Sequence, residues 1–241
     1  NIEQNAFNNC ASLTKISIPS SVKSINHSAF NGCISLNELE IHESLTSIGK
    51  DVFSGVKSIK ILGDIKKINT KLFYRCKSLT EITIISSVKS IECDAFYGCS
   101  SLKKIIFPPS IEQIKSNAFI KCTSLVQISL PSSIKLIEKN AFNDCSSLMQ
   151  VIFEGPSSLE AIGDKIFDKC TSLKEISFPS SVKKIGAFAF NNCSSLIKVI
   201  FEEPSNINVI EKYTFNNCEL LEEITIPSSV TSIQSNAFNG C

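Results

Sequence analysis

Phenylalanine returns along this chain at Phe7, Phe30, Phe53, Phe73, Phe96, Phe119, Phe142, Phe167, Phe190, Phe215 and Phe238, at spacings of 23, 23, 20, 23, 23, 23, 25, 23, 25 and 23 residues. A period of about 20 to 50 residues points to a stacked array rather than to one closed core. Around each Phe the other apolar residues keep fixed offsets, as in Phe7, Cys10, Leu13, Ile16, Ile18, Val22, Ile25 and Ala29. The unit reads A-F-x-x-C-x-S-L-x-x-I-x-I-P-S-S-V-x-x-I. Its L-x-x-I-x-I segment ends in strict alternation, which predicts a short strand with Ile16 and Ile18 inward and Ser17 outward. Pro19-Ser20-Ser21 ends that strand, because proline has no N–H and serines favour turns. A-F-x-x-C is too short for an independent helix and predicts a turn or a single helical turn.

One coil cannot bury Phe, Cys, Leu and four further aliphatic side chains alone, whereas stacked coils set each residue on its equivalent above and below. The expected fold is therefore an α/β-type repeat solenoid dominated by short parallel β-strands, about ten coils of 20–25 residues. Residues 1–241 read as one such solenoid. They begin and end inside a repeat, as a fragment of a longer chain without its caps would.

The 23-residue unit, with L-x-x-I-x-I-P, then V-x-x-I, then A-F-x-x-C, resembles the BspA-like leucine-rich repeat family. Leu125 to Ile137 followed by Ala141-Phe142-Asn143-Asp144-Cys145 shows the resemblance, which extends over all ten periods. It implies a non-catalytic module for protein–protein interaction, of the adhesin type found on cell surfaces or secreted. Pro-Ser-Ser stands where the better-known leucine-rich pattern carries an asparagine ladder, so long convex helices are not implied.

Three periods depart from 23. The 20-residue period fits if Val56 takes the Leu place and Ile59 and Ile61 the Ile places, which puts the gap between Phe53 and Val56 and removes the Cys-bearing turn. That gap reads as a tolerated deletion on the back of the solenoid, or as a bend or partner notch. Both 25-residue periods gain two residues just after the strand, Glu154-Gly155 and Glu202-Glu203, on what should be one rim. Cys145 to Asn192 also aligns with Cys193 to Gly240 without a gap, as a 48-residue duplication would.

Little in the chain points to chemistry. His27 and His42 occupy different offsets with no carboxylate or Cys at a catalytic or metal-binding spacing, and there is no C-x-x-C pair or Gly-rich phosphate loop. No metal, cofactor or enzyme activity is expected. Ten of the 11 cysteines share one offset and form a ladder, expected as reduced, buried thiols because parallel Cβ vectors stay too far apart for disulfides. Cys93 instead falls in a polar column with Gln4, His27, Lys50 and Ser116, and is expected to be solvent-facing and inert. Asn26-His27-Ser28 and Asn192-Cys193-Ser194 match the glycosylation pattern.

With 24 Lys and Arg against 23 Asp and Glu, no net field favours nucleic acid. No apolar run approaches the roughly 20 residues of a membrane span. A protein or glycan partner on the strand face is the remaining class. The outward column reads Ser17, Glu40, Lys60, Thr83, Ile106, Ser129, Ile152, Ser177, Ile200 and Thr225, in which Ile106, Ile152 and Ile200 are anomalous. They form the candidate contact, with Glu154, Glu202 and Glu203 beside it. Lys23, Lys66, Lys89, Lys135 and Lys183 share another offset and read as a solubilising stripe. The compartment is not written in these residues. An intracellular scaffold is the alternative to a surface adhesin, and an oxidised Cys ladder or a glycan on Asn26 would favour the outside.

Overall fold

The computed structural model describes residues 1–63, 65–85 and 87–241. Each coil carries two short parallel strands. A front strand takes the L-x-x-I-x-I segment, from Lys15–Ser17 in the first coil to Glu223–Ile224 in the tenth. A two-residue flank strand takes the end of V-x-x-I, from Ser24–Ile25 to Ser232–Ile233. Two residues are too few to display an alternation, so the sequence announces only the front strand. Among the described residues there is no helix, which corrects the α/β-type expectation to an all-β solenoid. The A-F-x-x-C segment is a turn, closed by the Cys10 N–H donating to the Phe7 carbonyl at 3.2 Å and the Leu13 N–H to the Cys10 carbonyl at 3.1 Å.

That turn has an unusual backbone. The residues two before and two after each Phe are left-handed, as at Asn5 (φ 59°) and Asn9 (φ 59°), or Asn140 (φ 58°) and Asp144 (φ 60°). Left-handed backbone costs most L-residues roughly 1–2 kcal/mol, and Gly, Asn and Asp less, which is why those types recur there. What holds it is the next coil. Phe7 N–H donates to Ala29 O at 2.8 Å and Asn9 N–H to Asn31 O at 2.7 Å. Consecutive ladder phenylalanines stack with ring centroids 4.9 to 5.7 Å apart. Such a pair contributes about 0.5–1.5 kcal/mol beyond burial.

The cysteines are more than small apolar fillers. Cys99 Sγ donates to Phe73 O at 3.0 Å, Cys122 Sγ to Phe96 O at 3.3 Å and Cys193 Sγ to Phe167 O at 3.1 Å, and Cys33, Cys145, Cys170 and Cys218 repeat the bond. All 11 cysteines are free. Eight ladder thiols are buried, while Cys10 and Cys241, in the first and last of the described turns, are exposed, which corrects the expectation that all ten are buried. A serine ladder runs beside them. Ser44 Oγ donates to Val22 O at 3.3 Å, Ser110 Oγ to Val88 O at 2.8 Å, Ser133 Oγ to Ile111 O at 2.6 Å and Ser229 Oγ to Ile207 O at 2.8 Å, each tying its coil to the preceding one, whereas the equivalent Ser181 Oγ is buried without a partner.

The front ladder lapses after Lys104–Ile106 and after Gln150–Phe153, and the flank ladder after Ser47–Ile48 and after Lys184–Ile185. At each lapse the other ladder is continuous. The lapse after Ser47–Ile48 belongs to the 20-residue period, where the structure corrects the placement of the gap. Val56 N–H donates to Phe53 O at 3.2 Å, which is the Cys position, so the residues missing are those that follow it. The front strand Ser58–Leu62 keeps the expected register with the coil after it, Ile59 opposite Ile82. Against the coil before it the register slips by two, Leu39 pairing with Ile61. An even slip preserves which side chains face inward, and Ile59 and Ile61 both remain buried. On the flank, the Glu43 carboxylate accepts the Lys66 N–H at 3.0 Å, a side chain standing in for the lost ladder.

The slipped coil turns on Gly63, at φ +101°, where an added Cβ would lie 2.1 Å from the Ile41 carbonyl oxygen. Gly63→Ala is expected to lower the urea midpoint by the equivalent of roughly 2 kcal/mol or more, through strain and overlap together. Gly155→Ala, at φ +54° with nothing within 4 Å, should cost only about 1 kcal/mol. Equal effects would mean that the contact with Ile41 is not the constraint.

Burial pushes the Cys99 and Cys145 thiols up from 9.0 to about 12. A raised folded-state value means that this stability is complete below about pH 9 and is lost as pH climbs through about 12, by about 1.4 kcal/mol per pH unit per thiol. The reduced protein should therefore weaken steadily above pH 9, with thiolate absorbance from the buried ladder appearing only with unfolding. Native-state alkylation should reach Cys10, Cys93 and Cys241 alone. Early thiolate absorbance or alkylation of the middle ladder would contradict the buried, hydrogen-bonded assignment.

Candidate functional site

The front strands present one outward surface along the solenoid. Lys60, Thr83 and Ile106 lie side by side, as do Ser129 with Ile152 and Ser177 with Ile200. The two-residue slip breaks the expected column at one point: Glu40 faces Leu62, and Lys60 faces Glu38. Ile106 is 41% exposed and Ile200 38% exposed. Ile152 is only half-buried, a correction to its expected full exposure. Glu154, Glu202 and Glu203 are exposed. The two insertions leave the strands alike, with Glu154 N–H donating to Leu130 O at 2.9 Å and Glu202 N–H to Phe178 O at 3.0 Å.

The aliphatic surface is wider than the isoleucine column. Val126 is 43% exposed, Met149 49% and Ile197 40%, all immediately after the buried Leu of their coils. Their column otherwise reads Thr14, Asn37, Lys57, Thr80, Lys103, Lys174 and Glu222, so the signal was present in the sequence. It lies just before the alternating segment and is missed when only the strand is scanned. Ile106 and Val126 line one shallow depression with Ser129 and Glu154. Ile152 and Ile200 line another with Ser177 and Glu202. Met149 and Ile197 share a third with Lys174.

The flank is chemically different. The expected lysine stripe is interleaved with Glu112 and Glu160, and Lys89 and Lys135 both reach Glu112 at 3.0 Å while Lys183 reaches Glu160 at 3.5 Å. Hydrogen bonds from Lys89 and Lys135 hold the Glu112 carboxyl below its usual range. Burial pushes the Glu138 carboxyl up, but hydrogen bonds from Ser116 and Lys115 prevail and hold it below the usual range. These charges are satisfied within the chain.

The remaining residues singled out by sequence lie apart from the front surface. Cys93 is half-buried rather than fully solvent-facing, a correction. His27 Nδ1 lies 2.9 Å from Lys50 O of the next coil and its Nε2 3.2 Å from Ser28 Oγ. No group of three or more His, Cys, Asp or Glu side chains among the described residues could hold a metal ion. Asn26 Nδ2 donates to Glu3 at 2.8 Å. Asn192 Oδ1 accepts from Asn217 at 3.0 Å and its Nδ2 donates to Asp168 at 3.5 Å, which ties it into a side-chain ladder. No helix among the described residues is long and apolar enough to cross a membrane.

Among curated proteins, none matches this sequence. Among solved structures, the chain is similar to a leucine-rich repeat protein from Bacteroides ovatus, at 27% identity over 95% of this chain and 73% of that one, with a TM-score of 0.54. It is also similar to a leucine rich cell surface protein from Faecalibacterium prausnitzii, at 27% identity over 95% and 71% of the two chains, with a TM-score of 0.48. The family model described as BspA type leucine rich repeat region matches residues 1–84, 66–156 and 152–241. Leucine-rich repeats of this kind are generally non-catalytic modules that bind protein partners. With its period, its coils and this match in agreement, the chain belongs to the BspA type leucine rich repeat family.

Proposed function

We propose that this chain is an adhesin-type protein-binding module, acting at a cell surface or after secretion, whose contact centres on Ile106, Ile152 and Ile200 with Glu154, Glu202 and Glu203 at its rim. The observation that carries this reading is the run of uncovered aliphatic side chains on a front surface that is polar elsewhere. Exposed apolar groups in contiguous patches mark interaction sites far more often than single exposed residues do. Ile34 and Ile85, 53% and 59% exposed, stand singly and need no such account. With Ile106 41% and Ile200 38% exposed and Ile152 less, covering the three isoleucines would contribute about 2–3 kcal/mol in all, while the rim charges would chiefly set orientation and association rate.

Beads carrying the chain are expected to retain protein from a mixed extracellular-matrix preparation. I106S/I152S/I200S, with an unchanged urea midpoint, should retain at least tenfold less. Unchanged retention by that variant would overturn the site. Retention that survives proteolysis of the preparation but not glycosidase treatment would overturn the protein-partner reading in favour of a glycan.

A further inference from the structure

The front surface has a shape that selects among protein partners. Along the solenoid the outward residues alternate in size, Ile106, Ser129, Ile152, Ser177, Ile200, so that ridges at every second coil enclose low points at Ser129 and Ser177. Paired front strands lie about 4.8 Å apart, and the step after Gln150–Phe153, where the front ladder lapses, is wider, so Ser129 and Ser177, two coils apart, are separated by roughly 10 Å. Residues i and i+7 of an α-helix are about 10.5 Å apart, close to that spacing. Same-face side chains of an extended strand recur about every 6.8 Å and do not match it. Strand addition is also disfavoured, because the backbone N–H and C=O groups of the front strands point along the solenoid axis rather than out of the face, and are engaged where Ser129 pairs with Ile152 and Ser177 with Ile200.

Charge adds direction. On the side where the front strands begin, Lys103, Lys104, Lys174 and Lys198 are exposed, against a single exposed Glu175 in the same five coils. On the side where they end stand the exposed Glu154, Glu202 and Glu203. A partner lying along the strip therefore meets a positive border on one side and a negative border on the other.

We infer that the strip takes an amphipathic α-helix of the partner, laid along the solenoid axis over about two heptads, with apolar residues at i and i+7 seated at Ser129 and Ser177, acidic residues towards the lysine border and basic residues towards the glutamate rim. An apolar-face-down helix with opposite charges on its two flanks fits in only one direction, so the borders fix its polarity as well as its position. This inference rests on the proposed protein-binding role of the front surface.

The probe is a stapled, monomeric 18-residue helical peptide with leucines at heptad spacing, glutamates on one flank and lysines on the other, titrated against the whole chain by fluorescence anisotropy. Binding should weaken at least tenfold with I106S/I152S/I200S, and at least tenfold when a central proline breaks the helix. Placing glutamate on both flanks should weaken it several-fold, and E154K/E202K/E203K should restore affinity for that all-glutamate peptide. Equal binding of the helical and proline-broken peptides, or of both charge patterns to the unmodified chain, would overturn the helix inference. If the peptide fails while the triple-serine variant still loses matrix protein, the helix inference is wrong and the site stands. If the triple-serine variant loses neither, the site itself is wrong.

Discussion

The carbonyl oxygens of most ladder phenylalanines, Phe53 not among them, are the points on which this solenoid depends. Phe73 O accepts the N–H of Cys76 in its own turn and the thiol of Cys99 from the coil above, and the same pair of donors recurs along the ladder. A buried carbonyl with both lone pairs engaged has no reason to seek water. The first bond shapes the turn and the second binds that turn to its neighbour, so local geometry and stacking are settled by one atom. Ring stacking then sets the phenylalanines over one another, and the parallel strands follow in register. Because each coil is bound chiefly to adjacent coils, stability is close to a sum of coil and interface contributions. That is how one coil can lose three residues while its neighbours keep their form.

The left-handed turn residues impose a cost that polar ladders offset in the later coils. Asn191 and Asn143 both donate to Asp168, at 2.8 and 3.2 Å, and Asn216 and Asn239 continue the line at 2.7 and 2.9 Å. Asp168 is only 7% exposed, and it remains tolerable there because asparagine amides surround its carboxylate. An asparagine ladder thus exists, on the turn behind the phenylalanines rather than at Pro-Ser-Ser. Two coils replace it with aromatic packing, Tyr74 on Tyr97 at a centroid distance of 5.0 Å.

Periodicity made the front strands, their inward faces and the ladders of Phe and Cys legible from sequence, because stacking converts every fixed offset into a spatial column. Features that depend on the meeting of two coils were less legible. Val56 satisfies the apolar requirement of the Leu place and the hydrogen bond of the Cys place, so alignment alone cannot decide between them. Cys93 shares a polar column, yet neighbouring coils half-cover it, since composition reports the chemistry of a column and not its packing. The aliphatic surface is wider than the alternating segment shows, for a related reason. Val126, Met149 and Ile197 precede the alternating segment, and only the folded coil shows that they border the same front surface.

The 48-residue duplication bears on what that surface means. Ile152, Met149 and Glu154 recur at the equivalent positions as Ile200, Ile197 and Glu202, so copying alone could have doubled a single accident. It cannot account for Ile106 and Val126, which lie outside the duplicated segment and extend the strip in the same two columns. Nor would copying explain why the flank differs between the two aligned segments, with Asn208 and Thr231 where the first has the paired Glu160 and Lys183, while the front surface keeps aliphatic side chains in both. A face that cross-coil ion pairs satisfy has little left to offer a partner. The front surface retains unspent burial free energy, and an occupant that covers it would gain what folding left unused.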